Sequence, residues 1–289
     1  DLPASLTVNV SYLGSRGTGL IREFLPNSYP RGSVNPCPAC PAGFVYLTSD
    51  GTSSRHAGQV QVRRRLRNGF TATVQYTLAR AFDNAASYQG ANLSGTAFAQ
   101  NWLDLDAEYA PSSFDQRHLM TVQFQYSTGV GVSGGALIDG WQGSLLKGWT
   151  LTGQMTTGSG LPLTPYFLTP TAGTGYSGST RAALTGETTE APEGYYLNPA
   201  AYRAPDPGSW GDAGRNSGTG PAQFQLNAGI QRTFQLGGRY NMDFRIDATN
   251  VLNTVTYSSI NSVVGSPQFG LPQSANQMRR MTSTLRLRF

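Results

Sequence analysis

The chain has 289 residues, of which 13% are charged, and it contains 35 Gly and 17 Pro. This composition argues against a helical bundle, and the lack of any run of 18 apolar residues argues against a transmembrane helix. The net charge is +5, but the basic residues lie at one parity within strands or near strand ends, so we expect no nucleic-acid binding.

Eight segments alternate between apolar and polar residues, which predicts β-strands with two unlike faces. In chain order they cover residues 6–12, 59–67, 70–78, 120–127, 149–156, 223–235, 240–249 and 281–289. Arg232 interrupts the apolar row of the sixth segment. Such strands suit an outer-membrane barrel, in which apolar rows contact lipid and polar rows line the lumen. The sequence therefore predicts an all-β, antiparallel transmembrane β-barrel in the cell outer membrane of a Gram-negative bacterium.

The connections between these segments alternate in length, as expected for short periplasmic turns and long outer loops. Asn68-Gly69 is a strong two-residue hairpin signal, and Leu236-Gly237-Gly238 is nearly as tight. The third inward connection, 129–148, is longer at 20 residues. The connections of opposite parity predict four long extracellular loops, at residues 14–54, 83–114, 159–221 and 253–277.

Two barrel architectures satisfy this strand parity. The eight strands are either an open segment of a 22-stranded barrel or a closed eight-stranded barrel. Loops that total about 160 residues would crowd the mouth of a small barrel, so we expect the segment. A soluble β-sandwich binding module, with the apolar rows facing a second sheet, is the remaining alternative and predicts purification without detergent.

Seven short motifs follow one another along the chain. They are residues 114–118 (FDQRH), 146–149 (LKGW), 158–165 (GSGLPLTP), 197–202 (LNPAAY), 211–216 (GDAGRN), 248–253 (ATNVLN) and 265–270 (GSPQFG). In this order they resemble the C-terminal barrel region of TonB-dependent receptor-like proteins, particularly the Oar-like group. The resemblance covers nearly the whole chain.

Members of that family are longer, and carry a plug domain and a TonB-contacting segment with no counterpart in this sequence. The resemblance implies that residues 1–289 are the last eight strands or so of such a receptor, or a relative reduced to them. The chain begins Asp-Leu-Pro without Met or a signal segment, so we expect a mature or truncated product. Expected partners are outer-membrane lipid, the remaining barrel strands, the plug and, through the absent N-terminal region, the TonB complex.

The function implied by the resemblance is energy-coupled uptake of a bulky solute such as a glycan, a peptide or a metal chelate. This chain would then supply part of the barrel wall. The alternative is an outer-membrane surface or scaffold barrel that transports nothing and whose loops bind a ligand or a matrix.

Cys37 and Cys40 form a C-P-A-C unit within a long, Pro-flanked loop. No helix follows that would lower a thiol pKa, so we expect a structural disulfide in an oxidising compartment instead of a redox pair. Unpaired or metal-linked thiols are the remaining alternatives. Zinc would need further ligands and the chain has 2 His, so we expect neither a metal site nor a cofactor.

His56 and His118 lie near predicted outer strand ends, where some outer-membrane barrels carry hydrolytic residues. Ser112, Ser113 and Asp115 are close to His118 in sequence and are candidates for a nucleophile and an orienting partner. Hydrogen bonding at the barrel rim is the simpler interpretation, so the sequence predicts no enzyme.

Charged residues share the polar face of the last two strands. They are Asp243, Arg245, Asp247, Arg280, Arg286 and Arg288. Across an antiparallel pair they can form a ladder that neutralises charge inside the lumen. Contact with a plug or a charged solute is the functional alternative.

Two further groups of residues are candidates for binding. Leu285, Leu287 and Phe289 form a terminal aromatic strand which, by resemblance to outer-membrane proteins, is read by the barrel-assembly machinery; core packing is the alternative. Loop 159–221 carries aromatic residues that could contact a carbohydrate or another surface ligand, or pack the loop onto itself. They are Tyr176, Tyr195, Tyr196, Tyr202 and Trp210.

Overall fold

A computed structural model describes residues 5–30, 32–41, 43–85, 99–129, 140–169, 173–176 and 178–289. Eight long strands form one antiparallel sheet, in which each strand pairs with the next along the chain. They are β1 (Leu6–Phe24), β2 (Tyr46–Arg67), β3 (Phe70–Asp83), β4 (His118–Ser127), β5 (Trp149–Gly158), β6 (Gln223–Gly237), β7 (Tyr240–Thr249) and β8 (Arg280–Arg288). The prediction of eight antiparallel strands is confirmed.

The sheet is open in the part of the chain that the structure describes. There β1 pairs with β2 and β8 pairs with β7, and no pairing joins β1 to β8. A closed eight-stranded barrel would require that last pairing. The described strands therefore adopt the open arrangement, which leaves unpaired backbone groups along the outer edges of β1 and β8.

Tight turns connect the strands at one end of the sheet, as predicted. Asn68 and Gly69 join β2 to β3 with φ angles of 51° and 74°. A type I′ turn requires positive φ at both central residues, and Asn and Gly tolerate it best. Gly237 and Gly238 join β6 to β7 with φ angles of 104° and 59°.

Short elements within the connections were not predicted from the sequence. They are the helix α1 (Trp141–Leu146), the 3₁₀ helix Asp106–Glu108, the strand Ala110–Pro111 on β3, and the pairs Pro162–Leu163 with Gly218–Thr219, Tyr166–Phe167 with Thr180–Arg181, Ala183–Leu184 with Tyr202–Arg203, and Tyr257–Ile260 with Pro272–Ala275. Over the described ranges, no helix has the length and apolarity needed to cross a membrane. Residues 86–98, in predicted loop 83–114, and 130–139, in predicted connection 129–148, lie outside the described residues.

The first two strands run far beyond their predicted ends. The sequence predicts a loop over residues 14–54, but strand pairing continues from Gly14 opposite His56 to Phe24 opposite Tyr46. Regular strand pairing therefore continues inside this predicted loop, and the placement of the loop outside the membrane stays a prediction. The alternation of apolar and polar side chains stops near Tyr12, as expected where a strand pair leaves the lipid and neither of its faces must be apolar. Pairing of the backbones does not depend on that alternation, so the strands continue. We call residues 13–24 and 46–55 the projecting hairpin.

The two faces of the sheet have different surroundings. On the apolar face, Leu285 and Leu287 are each 63% exposed, and no second sheet covers the eight strands in the described ranges. This arrangement rules out the β-sandwich alternative. On the polar face, Thr, Gln and Asn side chains of β3 to β7 line an open cavity of about 510 Å³. The polar face is therefore the concave one.

Arg232, the exception in the apolar row of β6, lies beside aromatic rings. Its guanidinium carbon is 4.7 Å from the centre of the Phe234 ring and 5.5 Å from that of Trp149. It also donates a hydrogen bond to the Leu145 carbonyl. The cation–π contacts and this hydrogen bond stabilise the charge of Arg232 among its apolar neighbours, close to the turn end of the strand.

Candidate functional site

A hydrophobic core lies in the long loops instead of in the sheet. Its buried members come from two loops that are far apart in sequence, and they are Ala182, Leu197, Ala201, Tyr202, Ala213, Val264 and Phe269. The rings of Tyr202 and Phe269 meet edge to face, with centroids 5.8 Å apart. We call residues 99–116, 159–221 and 253–277 the loop cap; residues 170–172 and 177 of it lie outside the described part.

A buried ion pair joins two of these loops. Arg181 Nη1 lies 2.7 Å from Glu108 Oε1, with side chains only 6% and 4% exposed. Gln100 binds both partners: its N–H donates to Glu108 Oε1 at 3.0 Å, and its Oε1 accepts from the Arg181 N–H at 2.6 Å. Its side-chain amide also donates to the Gly211 carbonyl at 2.9 Å. Because both charges are paired and hydrogen-bonded, they can be buried together.

Arg215 connects the loop cap to the sheet. Its Nε donates to the Glu108 carbonyl at 2.9 Å, and its Nη2 binds both the carbonyl and the carboxylate of Asp83, the last residue of β3. The neighbouring Asn216 donates to the Pro111 carbonyl at 2.7 Å. The position of the loop cap above the sheet is thus fixed by charge-assisted hydrogen bonds.

Further contacts join the loops of the cap to one another and to the connection between β1 and β2. The Tyr196 N–H donates to the Gly270 carbonyl at 2.8 Å, which joins loops 159–221 and 253–277. Trp102 donates its indole N–H to the Ser28 carbonyl at 2.8 Å and stacks on Phe24, with centroids 6.2 Å apart and planes 10° apart. Contacts therefore connect all four long loops.

The sequence does not identify Gln100, Glu108, Arg181 and Arg215 as a set. No local pattern relates residues more than 100 positions apart. A usable signal is the presence of charged residues inside Gly- and Pro-rich loops of a chain that is only 13% charged. Arg215 lies within one of the seven motifs, GDAGRN, and its contacts explain why an arginine is useful there.

The aromatic residues proposed from loop 159–221 divide into two groups. Tyr176 and Tyr202 are 3% and 6% exposed, so these two pack the loop onto itself, which is the alternative that the sequence also offered. Burial raises the pKa of the Tyr176 phenol well above its usual range. Tyr195 is 37% exposed, whereas Tyr196 and Trp210 are half-buried.

The predicted charge ladder lies on the polar face of β7 and β8. Arg288 reaches Asp243 at 2.7 Å across the strand pair. Arg245 instead pairs within its own strand, donating to both carboxylate oxygens of Asp247 at 2.6 and 2.9 Å. The other two members lie on β8, opposite Asp243 and Thr249, and are Arg286 and Arg280. Two ion pairs therefore form among these six residues, and the four arginines outnumber the two aspartates.

Cys37 and Cys40 form a disulfide, as predicted, with their Cα atoms 5.3 Å apart. The bond closes a turn in the connection between β1 and β2. The Cys37 N–H donates to Asn35 Oδ1 at 2.9 Å, so the turn is also held by a side-chain hydrogen bond.

The two histidines bind tyrosines at the loop end of the sheet. The Tyr76 hydroxyl lies 2.7 Å from His118 Nδ1, and Tyr12 makes the same contact with His56 at 2.5 Å. The Asp115 carboxylate accepts from the Ala81 N–H at 2.7 Å. The structure thus places His118 and Asp115 in separate hydrogen-bonding arrangements and does not assemble the considered hydrolytic group.

The C-terminal strand presents its apolar row to the outside. Leu285 and Leu287 are 63% exposed and Phe289 is 89% exposed. The structure therefore does not use these three side chains for core packing. Their role as an assembly signal stays a prediction.

We expect the projecting hairpin to lose stability in acid. Arg22 donates to both oxygens of Asp50, and this bond, followed by one from Thr48, lowers the pKa of the Asp50 carboxyl from 3.8 to about 2. A depressed folded-state pKa gives stability that is complete above the unfolded value and is lost as the pH falls toward 2. The amide-exchange rates of residues 13–24, corrected for intrinsic chemistry, should therefore rise as the pH is lowered from 4 to 2.5.

Asp50→Asn is the matched control for that measurement. It keeps the size of the side chain but cannot titrate, so its exchange rates, corrected for intrinsic chemistry, should not change over this range. If wild type and Asp50→Asn respond equally to acid, the ion pair does not stabilise the hairpin.

Two comparisons with known proteins agree with this fold. A family model described as an outer membrane beta barrel domain matches residues 1–282. The chain belongs to that family and is an outer-membrane protein. The search of curated proteins found no match.

The solved structure of the outer membrane transporter YddB from Escherichia coli is similar in fold. The TM-score is 0.50 at 8% sequence identity, and the match covers 99% of this chain and 30% of that transporter. At this identity the likeness concerns the fold alone. The chain spans about a third of the length of the protein that it matches.

Proposed function

We propose that this chain forms part of the wall of a TonB-dependent outer-membrane importer for a bulky solute. The observation that carries the proposal is the open sheet. Eight strands curve around a polar, concave face, yet β1 and β8 do not pair in the described residues. Unpaired edges of this length are a strong liability unless further strands continue the sheet. A continued sheet gives a wide barrel, and wide barrels pass or enclose large solutes.

The surface of the concave wall is suited to a hydrated solute. The cavity on this face is lined by hydroxyl and amide groups, including Thr73, Gln123, Gln154 and Asn227. Paired charges from the ladder lie on the same face of β7 and β8. Such a wall offers many hydrogen bonds to a glycan or a peptide.

The loop cap supplies the outer face of the proposed importer. Its packed core and ion pair hold the loops in one arrangement, so a solute would meet a preformed surface. Tyr195 is the most exposed of the aromatic residues considered for ligand contact, and remains our candidate in that role.

The second candidate function is a surface barrel that binds a ligand without transport. The structured loop cap favours it, because a rigid outer surface serves adhesion as well as capture. Energy coupling separates the two functions: an importer depends on TonB and on the proton gradient, whereas an adhesive surface depends on neither.

We expect uptake that requires energy. Cells producing the full-length protein would be given fluorescently labelled oligosaccharide, peptide and ferric-chelate probes, and compared with cells lacking its gene. At least one probe should accumulate inside the producing cells and fail to accumulate when TonB is deleted or a protonophore is added.

Two results would contradict the importer. Binding of a probe to the cell surface without accumulation would favour the adhesive alternative. Equal accumulation with and without TonB would show that any passage through the barrel is passive.

A further inference from the structure

We propose that the loop end of β1 and β2 holds a binding site for the phosphate group of an outer-membrane lipid. The site lies on the apolar, convex face of the sheet, outside the barrel wall, and is distinct from the concave face proposed for uptake. Its position, its lining and its boundary with the apolar rows each support this inference.

The position follows from the strand register. Val10, Val60 and Tyr76 form one row of the apolar face, and Gly14, His56 and Arg80 form a later row of the same parity. In the later row Arg80 pairs with the Asp115 carboxylate at 3.2 Å, and His56 carries the other polar side chain. The face therefore changes from apolar to polar within four residues, which is about 13 Å along a strand. With a strand tilt near 40°, this is roughly 10 Å along the membrane normal.

That distance is close to the thickness of a lipid headgroup layer. The hydrocarbon core is about 30 Å thick and the whole bilayer about 40–45 Å, which leaves roughly 5–8 Å of headgroups on each side. Basic side chains placed here lie at the depth of headgroup phosphates when the apolar row contacts acyl chains. Val10 and Tyr12 are 71% and 70% exposed, so the surface next to them is open to lipid.

The lining of the site suits a phosphate. A cavity of about 500 Å³ is lined by eight residues, of which Arg16, Thr52, Ser54 and His56 have the parity of the apolar rows. Tyr109 also lines it, whereas Ser15 and Ser53 line it from positions of the opposite parity. The basic residues are Arg16 and His56, and none of the eight is a carboxylate. A guanidinium and several hydroxyl donors around one space match the oxygens of a phosphate.

The loop cap completes the wall of this cavity. Tyr109 follows the 3₁₀ helix of the cap, and its hydroxyl lies 3.1 Å from Ser54 Oγ on β2. The Tyr109 ring stacks on Phe82 with centroids 5.8 Å apart. These contacts position the hydroxyl group before any ligand arrives, which reduces the entropy lost on binding.

His56 is oriented by its tyrosine partner. Tyr12 holds Nδ1 at 2.5 Å, and the two rings stack with centroids 6.1 Å apart. When the Tyr12 hydroxyl donates to Nδ1, the ring proton lies on Nε2, which can then donate to a phosphate oxygen. Tyr12 itself lies at the end of the apolar row, so one pair contacts both the acyl chain and the headgroup.

The experiment uses the full-length protein in detergent and measures lipid binding by native mass spectrometry. The probes are diphosphorylated lipid A, the same lipid after removal of both phosphates, and inorganic phosphate. We expect the wild type to bind the diphosphorylated lipid at least about tenfold more tightly than the dephosphorylated lipid. Inorganic phosphate should neither bind measurably nor compete at lipid-saturating concentrations.

The double variant Arg16→Gln/His56→Gln should lose about tenfold in affinity for the diphosphorylated lipid. Arg239→Gln, at an exposed arginine in the turn between β6 and β7, removes one charge at the opposite end of the sheet and should bind as wild type does. Far-UV circular dichroism checks that each variant keeps its strands.

Three outcomes would overturn the proposal. The first is equal binding of phosphorylated and dephosphorylated lipid by the wild type, a test that needs no variant to fold. The second is unchanged binding by a folded double variant. The third is tight binding of inorganic phosphate alone, which would identify a soluble-anion site. None of these outcomes depends on whether the barrel transports a solute.

Discussion

Replacing Arg181 with Met is expected to destabilise the loop cap by about 3–5 kcal/mol, because it leaves the Glu108 carboxylate buried without its partner. The Glu108 side chain is 4% exposed, so water cannot substitute for the guanidinium. Among the residues that the structure describes, the Gln100 N–H would remain as the donor to Glu108 Oε1. Hydrogen exchange of the cap amides in the full-length protein measures this local opening free energy.

Two further variants separate burial from charge. Arg203→Met breaks an ion pair with Asp206 whose side chains are 47% and 70% exposed, and it should cost far less, because water and salt screen exposed charges. Adding Glu108→Gln to Arg181→Met removes the orphaned charge and should restore much of the loss. If the cap amides exchange at the same rate in Arg181→Met and in Arg203→Met, the buried ion pair does not hold the cap together.

Gly211→Ala should also open the loop cap, through a clash with the backbone. A Cβ atom at this position would lie 2.0 Å from the Arg181 carbonyl oxygen and 2.3 Å from that of Ala182. Neither oxygen can rotate away as a side chain would, so the two segments must separate. Overpacking of this kind costs about 1–3 kcal/mol or more, and the shift would also disturb the bond from Gln100 to the Gly211 carbonyl.

Gly214→Ala is the matched control, three positions further along the same loop. Its nearest neighbour would be Ser217 Cβ at 3.4 Å, an ordinary contact. We expect no loss of stability, and a gain of up to about 1 kcal/mol from reduced freedom of the unfolded chain. Cap amides of Gly211→Ala should exchange faster than those of Gly214→Ala; equal rates would show that the loop relaxes around the added methyl group.

The sheet was predictable because lipid and water impose a two-residue period on each strand. Val122 and Leu287 belong to apolar rows that a single pass along the sequence identifies, and Asn68-Gly69 identifies its turn from local conformational preference. The disulfide between Cys37 and Cys40 follows from residues three positions apart. Each of these features is encoded within a short stretch of chain.

The loop cap was not predictable by the same reasoning. Its core brings Leu197 beside Phe269, and its ion pair brings Glu108 beside Arg181, without any periodic pattern around them. For this reason the sequence does not distinguish the buried Tyr202 from the more exposed Tyr195. The projecting hairpin escaped prediction for the opposite reason: it is a regular strand pair, but outside lipid nothing requires its residues to alternate.

Contacts between separate loops hold the loop cap in place. A break in the backbone of one loop should therefore leave the cap assembled. A protease that cuts near the exposed Leu184 would leave both new ends attached, one through the Arg181 ion pair and the other through Arg215 and Asp83. In the proposed orientation, with the loop cap facing the medium, enzymatic shaving of intact cells would then release few peptides from this region. Fragments should appear only after denaturant separates the nicked pieces.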